Sequence, residues 1–136
     1  CGTGGILTEA GLIGIEPVGS DISADMVEGC RRNLIDAGVD AEVFKAPVTG
    51  AADRIGTVDA VVTDIPYGRS SHASDDTAEL LDDLFRFHRE TCAGPLVLMT
   101  DRDAIPGREP DHELYVHRSL TRRLYVLGAD AVERMI

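Results

Sequence analysis

The sequence predicts an α/β fold: a mostly parallel sheet closed by a C-terminal antiparallel hairpin, with its first strand missing. Three observations predict it. Short apolar, β-branched runs alternate with stretches of helical periodicity as far as Asp101. A glycine turn, Cys1-Gly2-Thr3-Gly4-Gly5, opens the chain with no strand ahead of it to turn from. Two late strand-like runs are separated by six residues with no helix between them.

The elements follow in order. Ile6, Leu7, Ala10 and Leu12 predict a short helix ending near Gly14, and Val18–Asp21 a short strand with an acid at its carboxyl end. Ser23 suits a helix N-cap. Met26, Val27, Cys30, Leu34 and Ala37 share one face behind it, and Gly38 suits the position after the last turn. Ala41 to Ala46 reads as another strand. Val58–Asp64 reads as a strand buried on both faces and runs into a polar loop, Ile65–His72. A helix from about Asp75 to Ala93 carries Leu80, Leu81, Leu84, Phe85 and His88 at helical spacing, and Gly94-Pro95 stops it. Leu96–Thr100 is a buried strand ending at Asp101, and Pro106–Pro110 is rich in turn residues. Leu114–His117 and Leu124–Leu127 complete the hairpin. A mostly parallel, Rossmann-like sheet closed this way is the class-I methyltransferase arrangement; a plain dinucleotide-binding fold would continue with helices.

At 136 residues and 43% hydrophobic content the chain is one domain's worth and can bury a core. No apolar run approaches the roughly 18 residues of a membrane span, and no signal peptide opens the chain. The formal charge of −11 argues, taken alone, against a polyanion-binding surface. Its make-up is unusual, however: twelve of thirteen basic residues are Arg, Lys45 is the only Lys, and Asp outnumbers Glu fifteen to nine. That surface suits a concentrated-salt cytoplasm, so the acidity reports the solvent rather than the ligand. Cys1, Cys30 and Cys92 form no CxxC pair. They read as small buried hydrophobes in a reducing cytoplasm, not as a disulfide framework or metal site.

Three groups carry the chemistry. Cys1, Gly2, Thr3 and Gly4, before a helix, let backbone N–H groups approach a ligand closely. Asp21, with Ile22 beside it, is placed to accept from a ribose diol, which NAD and S-adenosylmethionine share. Asp64-Ile65-Pro66-Tyr67 is the more specific group. The Asp64 carboxylate and the Ile65 carbonyl can both accept hydrogen bonds from one –NH2, and Tyr67 can stack on the ring that bears it. Two acceptors favour a pyramidal nitrogen and stabilise the positive charge that develops as it attacks a methyl group. Tyr67, Arg69, Ser70, Arg118 and Arg122 are the candidate substrate contacts, Arg123 joins them as a basic patch, and no metal site is expected.

Cys1–Leu7, Gly19–Ile22 with Asp25-Met26-Val27, Val61–Ser71 and His117–Arg122 resemble the catalytic domain of archaeal tRNA (guanine-10-N2) methyltransferases. The resemblance covers nearly the whole chain. It implies S-adenosylmethionine as methyl donor, a guanine N2 acceptor in tRNA and an N-terminal THUMP region that grips tRNA; the cytoplasmic location is expected from the cysteines and the acidic surface. Three departures stand out. Ile65 occupies a position that is usually Pro; Lys45-Ala46-Pro47 replaces the Gly-Asp-Ala whose acid lies near the cofactor adenine; and the usual strand and Asp-Pro-Phe ahead of the glycine turn lie upstream of Cys1. Residues 1–136 therefore read as an N-terminally truncated catalytic domain, expected on its own to be marginally stable and inactive. The sequence leaves open a DNA or RNA adenine-N6 methyltransferase, a non-catalytic RNA-binding subunit of the same fold, and a requirement for a small activator subunit. An NAD dehydrogenase leaves Asp64–Tyr67 unexplained.

Overall fold

The computed structural model describes residues 1–65, 73–101 and 105–135. The chain divides into two compact units, Cys1–Gly56 and Thr57–Ile136.

In the first unit α1 (Gly5–Leu12) and β1 (Val18–Asp21) are followed by α2 (Ala24–Asp36), β2 (Glu42–Lys45) and α3 (Val48–Ile55). β1 and β2 pair in parallel, Val18 opposite Glu42 and Asp21 opposite Lys45. α2 forms where its signals lie. The Ser23 hydroxyl accepts from the Met26 N–H at 3.3 Å, and Gly38 adopts φ +69° beyond the last turn. Val27, Cys30 and Leu34 form its buried face and meet Leu7 and Val43 in one cluster, with Val39 and Ala41 against it. Met26, expected on that face, is exposed. α3 was not anticipated: Pro47 stands at its N-cap and Ala51 is its buried anchor. On β2, Phe44 is buried and the Arg54 guanidinium of α3 lies 4.3 Å from its ring centroid.

The second unit holds a mixed sheet of order β3-β4-β6-β5, so the strands form two sheets. β3 (Val61–Asp64) runs parallel to β4 (Leu96–Thr100). β6 (Leu120–Leu127) is antiparallel to both β4 and β5 (His112–His117). α4 (Ala73–Thr91) and α5 (Ala129–Glu133) complete the unit. Leu96 and Leu98 of β4 and Tyr125 and Leu127 of β6 are wholly buried, together with Val132 of α5. Each such aliphatic side chain contributes about 1.5–3 kcal/mol through burial. Leu81, Leu84, Phe85 and His88 of α4 are buried as their spacing predicts. His88 is there for structure: its Nε2 lies 2.9 Å from the Gly94 carbonyl, tying the end of the helix to the loop that enters β4.

Three expectations change. The strand at 58–64 shortens to Val61–Asp64, preceded by an isolated bridge from Val58 to Cys92. It is not buried on both faces, because among the described residues only β4 pairs with it, and Val62 stays half exposed. β6 starts at Leu120, leaving only Arg118 and Ser119 as the hairpin turn. β5 is exposed along its whole length.

Candidate functional site

The glycine turn and Asp21 are one construction. Gly2 and Gly4 both lie in the left-handed region, at φ +53° and +91°, where a side chain costs about 1–2 kcal/mol. Gly4 is also tightly enclosed, since a Cβ there would stand 2.6 Å from the buried Cys30 sulfur. The Gly4 N–H donates to the Cys1 carbonyl at 3.1 Å and turns the chain into α1.

Asp21, at the carboxyl end of β1, organises this turn. Its Oδ2 accepts from the Gly2 N–H at 2.9 Å and the Cys1 amine at 3.2 Å, and its Oδ1 from the Ser23 N–H at 2.9 Å. Partial burial pushes the carboxyl up, but the N–H groups of Ser23 and Gly2, with the Cys1 amine, outweigh it and hold it below its ordinary value. A carboxylate offers about four acceptor sites. The Gly2 and Ser23 N–H groups fill two of them, which leaves acceptor capacity for a ligand hydroxyl. Ile22, the next residue, is exposed and offers an apolar surface beside the carboxylate. Sequence reasoning missed Asn33, whose side-chain amide donates to the Thr3 carbonyl at 2.8 Å. It lies three residues beyond Cys30 on α2, on the face that meets the turn, and that spacing was the available signal. After β2, the Ala46 N–H donates to the Asp21 carbonyl at 3.0 Å. Pro47 then opens α3, so no acid stands where the resemblance would place one.

In the second unit Asp64 closes β3, opposite Met99 of β4. The Ile65 N–H donates to the Met99 carbonyl at 2.9 Å. The proline that the resemblance would place here has no N–H to give, so isoleucine extends the strand pairing by one hydrogen bond. The Ile65 side chain is buried. The Asp64 side chain remains partly exposed, and its Oδ2 is hydrogen-bonded to Nη2 of Arg122 on β6.

This pairing resolves part of the expected basic patch. Arg122 is engaged with Asp64. Arg123 binds Glu113 at 3.1 Å and the Asp101 carbonyl at 2.9 Å. Arg118 stands exposed on the hairpin turn. Pro66, Tyr67, Arg69 and Ser70 lie outside the described residues. Among the described residues no group of three or more His, Cys, Asp or Glu could hold a metal ion, and no helix is long and apolar enough to cross a membrane.

Residues 1–107 match the family model UPF0020, an RMKL-like methyltransferase domain. The chain is 35% identical to a probable tRNA (guanine(10)-N2)-dimethyltransferase of Methanothermococcus thermolithotrophicus, over 93% of this chain and 83% of that one. It is 39% identical to the tRNA (guanine(10)-N2)-dimethyltransferase of Methanothermobacter thermautotrophicus, over 93% of this chain but only 41% of that longer relative. Among solved structures it resembles an RNA methyltransferase from Salinibacter ruber in complex with S-adenosyl-L-homocysteine. The TM-score is 0.64 at 21% identity, covering 93% of this chain and 76% of that one. A mixed α/β fold, a glycine turn locked to a strand-end Asp, and sequence identity across nearly the whole chain converge: the chain belongs to the archaeal tRNA (guanine-N2)-dimethyltransferase family and carries its class-I methyltransferase domain.

Proposed function

We propose that this chain is the catalytic part of an enzyme that transfers a methyl group from S-adenosylmethionine to the exocyclic N2 amine of a guanine in tRNA, at position 10. The observation that carries this reading is Asp64. It is a partly exposed carboxylate at the end of β3, continued by Ile65-Pro66-Tyr67, in a chain whose relatives are named for that reaction.

The residues of the first unit fit the cofactor. The Gly2–Gly4 turn allows close backbone approach, Asp21 keeps acceptor capacity for a ribose hydroxyl, and Ile22 offers apolar cover for the adenine. Cys1 and Thr3 complete the turn. When bound, S-adenosylmethionine supplies an electrophilic methyl on a sulfonium sulfur.

The acceptor amine is a weak nucleophile because its lone pair is delocalised into the guanine ring. A hydrogen bond from N2–H to Asp64 localises that lone pair and stabilises the positive charge that grows on nitrogen as the N–C bond forms. The Ile65 carbonyl is the second acceptor, and Tyr67 the stacking partner that holds the ring. Once the methyl has transferred, nitrogen loses a proton to Asp64 or to water, a downhill step. The base must leave its stack to reach such a carboxylate. Arg69, Ser70 and Arg118 are the proposed RNA contacts.

The test is methyl transfer by the full-length protein to unmodified tRNA transcripts, with the product nucleosides identified by mass. N2-methylated guanosine that disappears when G10 is replaced by A supports the reading. Methylated adenosine, or transfer indifferent to G10, overturns it.

A further inference from the structure

We propose that Arg122 is a positioning residue for the transfer step: its guanidinium holds the Asp64 carboxylate through Oδ2, so that Oδ1 is presented to the acceptor amine. This rests on the reading of Asp64 given above and adds a residue to it. Sequence reasoning had assigned Arg122 to RNA. The structure pairs it with Asp64, across a separation of 58 residues.

The anchor is stiff. Arg122 sits inside β6, opposite Leu114 of β5, and the adjacent Arg123 lies opposite Thr100 of β4. It is therefore carried by a strand paired on both sides, not by the hairpin turn, and groups held on such elements are placed more precisely than groups on loops. Arg122 is the sheltered partner, with a side-chain exposure of 22% against 38% for Asp64, so the pair is less screened than one between two fully solvated groups.

On the Asp64 side the backbone is fixed as well. The Ile65 N–H is bound to Met99 and the Ile65 side chain is buried, which leaves rotation of the carboxylate as the main freedom. Arg122 removes that freedom from one oxygen. Among the described residues nothing else binds Asp64, so the other oxygen keeps its acceptor sites.

The neighbouring arginines sharpen the assignment. Arg123 is held by Glu113 and the Asp101 carbonyl. Arg118, exposed on the turn and in no ion pair among the described residues, is better placed than Arg122 or Arg123 to meet a phosphate. The two roles separate kinetically. Loss of a phosphate contact weakens tRNA binding, whereas loss of a positioning contact slows the bound complex.

The experiment measures kcat, KM for tRNA and the dissociation constant for S-adenosylmethionine in the full-length protein and its Arg122→Ala, Arg122→Gln and Arg122→Lys variants. Circular dichroism melting shows which variants fold. The expected result is a fall in kcat of about tenfold to a hundredfold for Ala and Gln, the size of a small misplacement of a reacting group. KM and cofactor affinity should be unchanged, with partial recovery for Lys and on adding guanidinium to Arg122→Ala. If Arg122→Ala does not fold, Arg122→Gln, which keeps most of the side-chain volume, decides. In an Asp64→Asn background the Arg122 substitution should cost little more, since the two act as a unit. A raised KM with normal kcat, or losses that multiply, overturns the proposal. If Asp64→Ala is fully active, the reading of Asp64 itself fails; if Asp64→Ala is inactive and Arg122→Gln is normal, only this inference fails.

Discussion

Gly4→Ala should destabilise the first unit through two separate mechanisms. Gly4 sits at φ +91°, and forcing an alanine into that region costs about 1–2 kcal/mol. The new Cβ would also stand 2.6 Å from the Cys30 sulfur and 3.5 Å from its Cα and Cβ. Cys30 is wholly buried among Leu7, Val27, Leu34 and Val43, so the sulfur cannot simply swing into solvent. Overpacking of this kind costs about 1–3 kcal/mol. The sum is about 2–5 kcal/mol, a large share of the stability of a small protein. Urea unfolding of wild type, Gly4→Ala, Cys30→Ala and the double variant resolves the two parts. Cys30→Ala removes the sulfur and leaves ordinary contact distances, so the double variant should lose less than the two single losses added together. The backbone part should persist in both. A Gly4→Ala variant within about 0.5 kcal/mol of wild type would refute the enclosure argument, because that is the range of changes at unconstrained sites. Strict additivity would refute the clash with Cys30 in particular.

Two further perturbations follow from the charges. Asp21 titrates lower in the folded chain than its ordinary value of about 3.9, so its hydrogen bonds add stability above that pH and lose it as pH falls through the folded value. The stability gap between wild type and Asp21→Asn should therefore be widest near neutrality and close in acid; a gap independent of pH would contradict this. The net charge of −11 with a single lysine predicts a melting temperature that climbs from low salt to molar KCl as self-repulsion is screened. A melting temperature that falls steadily with salt would count against adaptation to concentrated salt.

How far the fold could be read from sequence depended on whether the signal was local. α2 could be read from the Ser23 cap through the Val27, Cys30 and Leu34 stripe to Gly38, with Met26 misplaced on the buried face, because each cue acts within one turn of helix. α3 was missed although Val48, Ala51 and Ile55 share a face, since a Gly at its centre and a Pro at its cap imitate a loop. α5 is only five residues long and depends on burying Val132. Most of the first half of β6 reads as polar, Thr121-Arg122-Arg123, and becomes a strand through its partners on β4 and β5, which no local pattern records. The same limit applied at the site. The Asp21 and Asp64 positions follow from strand ends, whereas the Asp64–Arg122 pair joins residues from β3 and β6 and emerges only once the sheet order is known.

The most direct test of the central claim is single-turnover methylation of G10-containing tRNA by the full-length protein with Asp64 replaced by Ala, under saturating S-adenosylmethionine. Cofactor and tRNA should still bind while the transfer rate falls by about 10²–10³, the typical loss when one stabilising partner of a developing charge is removed. A transfer rate equal to that of wild type would contradict it.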